Sequence, residues 1–570
     1  MATLTLPLVG VPNRRGFNTL SATTDQRFIG VLPQVVENPV TGNKTVYAEK
    51  RPGWILDSTP SSGKVGWKCY SSKSTLTAIT AYYTSGTTAY SIYANSTLVG
   101  TISGYTPQEI NETKIADITY YLINSIDGHT NSRFYYLASD SYSQTSYTGS
   151  TTSGSAVVTG IASTAGMYIG QPISGTGIPA STYILSVDSA TQITMSANAT
   201  ATNAAVTITK TPLALVYDAD YPDGTNTSIG YAIGPIIEMD GYLFVMTSTG
   251  RIYNSDLNSI TSWSASGYIQ ANMSTDGGAG LARVKDQIIG LGTASTQLFY
   301  NAGNPSGSPL SNTAQLFSNI GAVTTYWGGS RDDSVMNIGG EYVAWLASIN
   351  GQIGYHPIYI FDGINAKKIS TPQIDRIFAY SNPTYGRIVS LSGFFWGGYH
   401  YIHAAIVDTT NNIFQESWLY CIELGIWVES GFPYPFSISG TGKVYAVSLY
   451  GTSGKLYSLP SYGHVYQDDG SAYTMTIQTA RMNFGTNNWK FIKSVQLVCD
   501  KQASGTATLK YSDDDFGTWT TAGTFDLTIM NPIITRLGAH QGGRAYILEH
   551  NANTAFRAES LIIEYDIGQH

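Results

Sequence analysis

Residues 76–102 read LTAITAYYTSGTTAYSIYANSTLVGTI. Three short segments stand out in it: Leu76-Thr-Ala-Ile-Thr-Ala-Tyr82, Ala89-Tyr-Ser-Ile-Tyr93 and Leu98-Val-Gly-Thr-Ile102. Each is rich in β-branched and aromatic residues, which suit a pleated, half-buried surface. Between them lie turns carrying Gly86 and Asn95, residue types that tolerate the positive backbone angles of tight hairpins. The stretch predicts consecutive antiparallel strands.

The same rhythm resumes after residue 230 and runs to about residue 465. Gly241-Tyr-Leu-Phe-Val245, Gln287-Ile-Ile-Gly-Leu291, Tyr342-Val-Ala-Trp-Leu346, Tyr399-His-Tyr-Ile-His403 and Trp418-Leu-Tyr-Cys-Ile422 are clear members. Their spacing suits radially repeated four-stranded sheets, roughly 40–50 residues per blade. No blade signature recurs, so the number of blades is left open. Composition agrees: 41 Tyr and 59 Gly in 570 residues, with charged side chains only 12 % of the chain, about half the usual share. The predicted class is all-β.

A chain of this length predicts several domains. Residues 1–70 carry Pro7, Pro12, Pro33, Pro39, Pro52 and Pro60 and read as an extended arm with a few strands, serving docking and assembly. Residues 71–147 and 210–470 form a β-propeller-like body. Residues 148–209 read as an inserted Ser/Thr-rich β-module, because Asp188 is the one charged residue between 141 and 209. The flanks Phe134-Tyr-Tyr-Leu137 and Leu213-Ala-Leu-Val-Tyr217 look like two strands of one parent sheet. Residues 471–570 read as a C-terminal β-sandwich.

The net charge of −8 is uneven. Residues 1–75 hold nine Lys/Arg against four acids, which leaves the remainder at −13. A basic arm on an acidic body predicts docking to acidic protein surfaces. Arg14, Arg15, Arg27 and Arg51 are the candidate interface residues, since a guanidinium pairs with carboxylates in a planar fork. Cys69, Cys421 and Cys499 are odd in number and far apart, and predict neither a disulfide framework nor a zinc site. Met1–Gly10 lacks the pattern of a secretory signal, and no apolar run reaches the ~18–20 residues of a membrane span.

Catalytic chemistry requires convergent titratable groups, and few are evident. His400 and His403 sit three apart on a predicted strand and so face opposite sides. Asp332-Asp333, Asp468-Asp469 and Asp513-Asp514-Asp515 read as turns in which Asp caps its own backbone, with calcium binding as the functional alternative. Ser512-Asp-Asp-Asp-Phe-Gly-Thr-Trp519 resembles the Asp-box hairpin, a folding device of sialidases and of many non-enzymes, with its glycine displaced to Gly517. Nucleophile elbow, phosphate loop and dinucleotide fingerprint are all missing from the sequence. The expectation is a non-enzyme without cofactor or metal.

Several pieces together resemble the tail-hub, or DNA-stabilisation, proteins that form the nozzle of short-tailed bacteriophages. They are Asp25-Gln-Arg-Phe-Ile-Gly30 through Lys50-Arg-Pro-Gly-Trp54, then Met239-Asp-Gly-Tyr-Leu-Phe-Val245 with Tyr253-Asn-Ser-Asp-Leu257 and Trp263. Lys368-Ile-Ser-Thr-Pro-Gln-Ile-Asp375 and Ser417-Trp-Leu-Tyr-Cys421 with Trp427-Val-Glu429 follow in the same order as in the family. The module at 141–209 is not part of that pattern, and the C-terminal sandwich matches only loosely.

The resemblance implies a virion protein made in the host cytoplasm and assembled as a hexameric ring below the head-to-tail adaptor. The ring continues the DNA ejection channel, retains the genome, and carries tail fibres or tailspikes, with a needle or plug protein at its far end. DNA passes without specific binding, because an acidic body repels phosphates. Two other readings are a carbohydrate-binding or glycosidase β-propeller of the virion, and a phage fibre or adhesin.

Overall fold

The computed structural model describes residues 2–8, 26–37, 44–75, 77–128, 130–271, 276–323, 335–350, 356–379, 387–408, 413–433, 435–449, 451, 453–460 and 464–568. Among them the chain is almost wholly β-sheet, with a single eight-residue helix, Pro372–Ala379. No helix among the described residues is long and apolar enough to cross a membrane.

Seven four-stranded blades can be traced in these residues. Their innermost strands are Val65–Ser71, Thr106–Ile115, Ala232–Met239, Gly278–Val284, the split pair Ile320–Ala322 and Val335–Ile338, Arg387–Trp396, and Phe436–Gly440. Neighbouring innermost strands touch all the way round, and Phe436–Gly440 returns against Val65–Ser71 to close the ring. Blades are numbered 1–7 in that order. Blade 7 draws its outermost strand, Ile55–Ser58, from the N-terminal part of the chain, paired antiparallel to Leu456–Leu459.

Ring closure explains a feature of the strand sequences. Side chains alternate between the two faces of a strand, and each blade is covered on both faces. In Ile118–Ile126, Tyr120 and Leu122 pack toward blade 3, while Tyr121 and Ile123 pack toward blade 1. In Tyr342–Ile349, Val343 and Trp345 face blade 4, while Ala344 and Leu346 face blade 6. Both parities must therefore be apolar, and the strands read as short unbroken hydrophobic runs.

Residues 146–210 form their own six-stranded sheet around Tyr147, Val158, Ile184, Ile193 and Ile208. It interrupts blade 2 between Ser132–Ala138 and the short outermost strand Ala214–Leu215, which pair through Tyr135–Leu215 and Tyr136–Ala214.

The sandwich is built from both ends of the sequence. One sheet joins Ala2–Pro7, Val31–Glu37 and Lys44–Lys50 to Arg557–Ile567 and Lys490–Cys499. The other carries Arg27–Ile29 between Met475–Gln478 and the outer strand of blade 6, Ile426–Glu429. The expected extended arm is thus, in its described parts, woven into the body. Its prolines fit because Pro33 lies in a strand with a partner on one side only, and Pro52 lies outside any strand.

Candidate functional site: the axial cavity and the propeller–sandwich junction

Two places gather polar side chains from many elements. The first is the propeller axis. Where the innermost strands end, a cavity of about 350 Å³ opens. Residues from all seven blades line it, among them Lys73, Glu112, Glu238, Arg283 and Lys285. Deeper along the axis the space narrows to about 80 Å³, beside Lys68, Glu109, Ser392 and Ser437. Glu238 accepts the Gly241 amide at 2.9 Å on Oε1 and Arg283 Nη1 at 3.0 Å on Oε2. Glu112 accepts Ser74 Oγ at 2.8 Å on one oxygen and the Lys73 amide at 3.0 Å on the other. Arg283 also donates to the carbonyls of Glu238 and Lys285 at 2.6 and 2.8 Å. Lys73 stands exposed at the rim, where partial desolvation of its ammonium pulls its pKa below the usual lysine range against the opposing pull of Glu112.

The second place is the junction of blades 6 and 7 with the sandwich. Arg51 is 1 % exposed and forks onto both oxygens of Asp468, at 2.9 and 2.5 Å. Its remaining donors reach the carbonyls of Ser430, Pro52 and Gly431 at 2.8–3.0 Å. The guanidinium lies between the rings of Phe432 and Tyr473, 4.7 and 3.9 Å from their centroids. Asp468 also accepts the Trp54 amide at 3.0 Å, and Trp54 packs on Phe432 and Phe436. A Cβ on Gly53 would stand 2.0 Å from the Gln467 carbonyl oxygen, so only glycine lets the two segments approach this closely. Lys50 is buried beside this pair and donates to the carbonyls of Ala552 and Tyr473 at 2.8 and 3.3 Å. Burial, and then the Arg51 charge, push its pKa down to about 8.

The candidate interface arginines separate here. Arg51 is buried and engaged inside the chain: its five donors all meet acceptors of the same chain. Arg27 forms a two-pronged pair with Glu429 at 2.7 Å and is only partly exposed. Arg14 and Arg15 lie outside the described residues.

Asp468 is likewise not a self-capping turn aspartate, and Asp469 pairs with Lys455 at 2.5 Å. Asp513 pairs with Arg544 at 2.7 Å. Asp514 organises the predicted hairpin by accepting Ser512 Oγ, the Thr518 amide and Thr518 Oγ1 at 2.6–2.9 Å. Those bonds, led by the Thr518 hydroxyl, hold its pKa down to about 2. Asp332-Asp333 lie outside the described residues. No group of three or more His, Cys, Asp or Glu among the described residues is placed to hold a metal. His400 bonds Glu423 at 2.6 Å while His403 is buried near Ser392 Oγ at 3.3 Å, on opposite faces of their strand.

The pieces that carry the family resemblance are scattered in sequence, yet several meet at this junction. Arg27 reaches Glu429, the Arg51 amide donates to the Gly30 carbonyl at 3.1 Å, and the Gly30 amide to the Glu429 carbonyl at 3.2 Å. Trp427 Nε1 donates to the Ile369 carbonyl at 2.9 Å, which ties in the Lys368–Asp375 piece.

A closed all-β propeller sewn to a sandwich is a scaffold for assembly as readily as for binding. Residues 173–389 match the family described as "Bacteriophage P22 Gp10, beta-propeller", a stretch running from the inserted sheet to the start of blade 6. The resemblance read from the sequence is to this same family, and the protein is a structural component of a bacteriophage tail. No curated protein matches the chain.

Among solved structures, the phage phi92 endosialidase is 9 % identical, with 91 % of this chain and 72 % of that one covered at a TM-score of 0.30. The N-terminal domain of Nup159 is 10 % identical, covering 75 % and 97 % at 0.33. An exo-β-1,3-galactanase from Phanerochaete chrysosporium is 12 % identical, covering 58 % and 95 % at 0.21.

Proposed function

We propose that the chain is a tail-hub subunit. In this reading a hexameric ring of it sits below the head-to-tail adaptor, continues the DNA ejection channel, retains the genome and anchors tail fibres or tailspikes, with a needle or plug at its far end. The family match over residues 173–389 carries the reading.

The geometry supports one refinement. The axial cavity of a single propeller, about 350 Å³ at its mouth and about 80 Å³ deeper in, admits a small molecule and not a duplex. The genome's path therefore lies between copies, and not through any one propeller. The net charge of −8 per chain suits a wall along which DNA slides without being held. Arg14 and Arg15 remain the proposed docking residues toward the adaptor or a neighbouring copy. Residues 148–209 are proposed as a decoration of the ring, and no hydrolase activity is assigned to the chain.

Negative-stain images and native mass measurement of the purified protein, alone and with the adaptor, test the proposal. Rings of uniform copy number with a central hole are expected. Monomers in both conditions, or trimeric rods, would overturn it.

A further inference from the structure

The axial cavity has a surplus of hydrogen-bond donors that the fold itself does not use. Both carboxylates in it are already occupied. Each oxygen of Glu112 accepts a donor from Lys73 or Ser74, and each oxygen of Glu238 accepts one from Gly241 or Arg283. The amide oxygen of Asn337 takes the Gly340 amide at 2.9 Å.

The cations are not matched in the same way. Among the described residues Lys285 Nζ makes one bond, to the Asp362 carbonyl at 3.0 Å, out of the three it can donate. Arg283 uses Nε and Nη1, which leaves Nη2. The Lys73 ammonium makes no hydrogen bond among the described residues, and it stands close enough to Arg283 for their like charges to interact. Lys73, Arg283 and Lys285 against Glu112 and Glu238 leave the lining one cation in excess, the Asp362 carboxylate that faces Lys285 lying outside it. The cavity of about 350 Å³ is within the size range of small-ligand sites. Arg283 stands at the end of an innermost strand, with Lys73 and Lys285 exposed in the bend and turn beside it, so the guanidinium is held in place before any ligand arrives and the two ammoniums can close onto it.

We propose that this cavity binds a small organic anion, a carboxylate or phosphate group on a body of about monosaccharide size, held by Lys73, Arg283 and Lys285. The anion would supply the acceptors that these donors lack. Charge-assisted bonds of this kind are about twice as strong as neutral ones.

The test uses the full chain with glucuronate, inorganic phosphate and glucose as probes, read by calorimetric titration and thermal shift. Glucuronate, phosphate or both should bind and raise the unfolding midpoint, and glucose should do neither. The two anions separate a carboxylate site from a phosphate site. The double variant Lys73→Gln/Lys285→Gln should weaken anion binding about tenfold or more, which corresponds to the loss of one charge-assisted bond. Should the double variant fold poorly, Lys73→Gln alone gives the same comparison, because that ammonium is exposed and makes no hydrogen bond among the described residues. Equal binding of glucose, absence of binding by both anions, or unchanged affinity in the variants would each overturn the proposal.

Discussion

Arg51 shows what one side chain holds together. Removing it would leave Asp468, 6 % exposed, as an unpaired charge in the interior. Breaking a buried pair from one side costs about 3–5 kcal/mol. Arg51→Ala is therefore expected to lower the urea midpoint of unfolding by that order of stability. Arg51→Lys should recover little, since a lysine cannot donate to both Asp468 oxygens and three carbonyls at once. The paired change Arg51→Met/Asp468→Leu should recover most of the loss, because two apolar side chains replace both charges together. A double variant as unstable as Arg51→Ala would mean that the carbonyl contacts, and not the ion pair, dominate.

At the scale of elements, the sheet spanning residues 146–210 has its own core, yet it is also tied to blade 2. Tyr136 donates its hydroxyl to the Ile169 carbonyl at 2.5 Å, Leu215 donates its amide to the Gly170 carbonyl at 3.1 Å, and the rings of Tyr183 and Tyr217 stack at 3.8 Å. Replacing residues 148–209 with a short Gly/Ser bridge should leave a soluble, β-rich protein, because Ala214–Leu215 can still pair with Ser132–Ala138. The lost bonds at the boundary are worth about 1 kcal/mol each, so its thermal midpoint should fall by a few degrees. Insoluble product would show that blade 2 depends on the inserted sheet. The opposite outcome is expected for the closing strand: without Ile55–Ser58, blade 7 loses its outermost strand, and Leu456–Leu459 becomes an exposed edge.

For the molecule as a whole, pH gives the clearest readout. Burial pushes the pKa of His403 down to about 3, and those of His540 and His550 down to about 4, from an ordinary value near 6.5. In the unfolded chain these rings take up protons as pH falls below about 6.5, while in the folded protein they stay neutral. Their contribution to stability is complete above that pH and is lost progressively toward pH 4. Asp514, held near 2, acts in the same direction only below its ordinary value of 3.8. Thermal unfolding followed from about pH 7.5 to about 4.5 should show a midpoint falling by roughly 2–5 °C. His403→Leu should flatten part of that slope. A midpoint that did not move would mean that these rings titrate normally and are open to water.

The sequence by itself determined the class and most of the strands, because both follow from interactions a few residues long. Short apolar runs, Gly and Asn turns and the Ser512–Trp519 hairpin all act locally. The number of blades was not legible for a physical reason. Each blade is covered on both faces, so the two parities of a strand are equally apolar, and no repeat marks where one blade ends. Ring closure by Ile55–Ser58 and the Arg51–Asp468 pair, 417 residues apart in sequence, leave no local trace. The arginine fork was visible as a residue type suited to carboxylates, but its partner was not. The axial cavity was wholly out of reach, since its Lys73, Arg283 and Lys285 come from blades 1 and 4, and only the closed ring brings them to one axis. Local propensity decides that a segment is a strand; which strands become neighbours is decided by the packing of both faces of every blade, and that is a property of the tertiary structure.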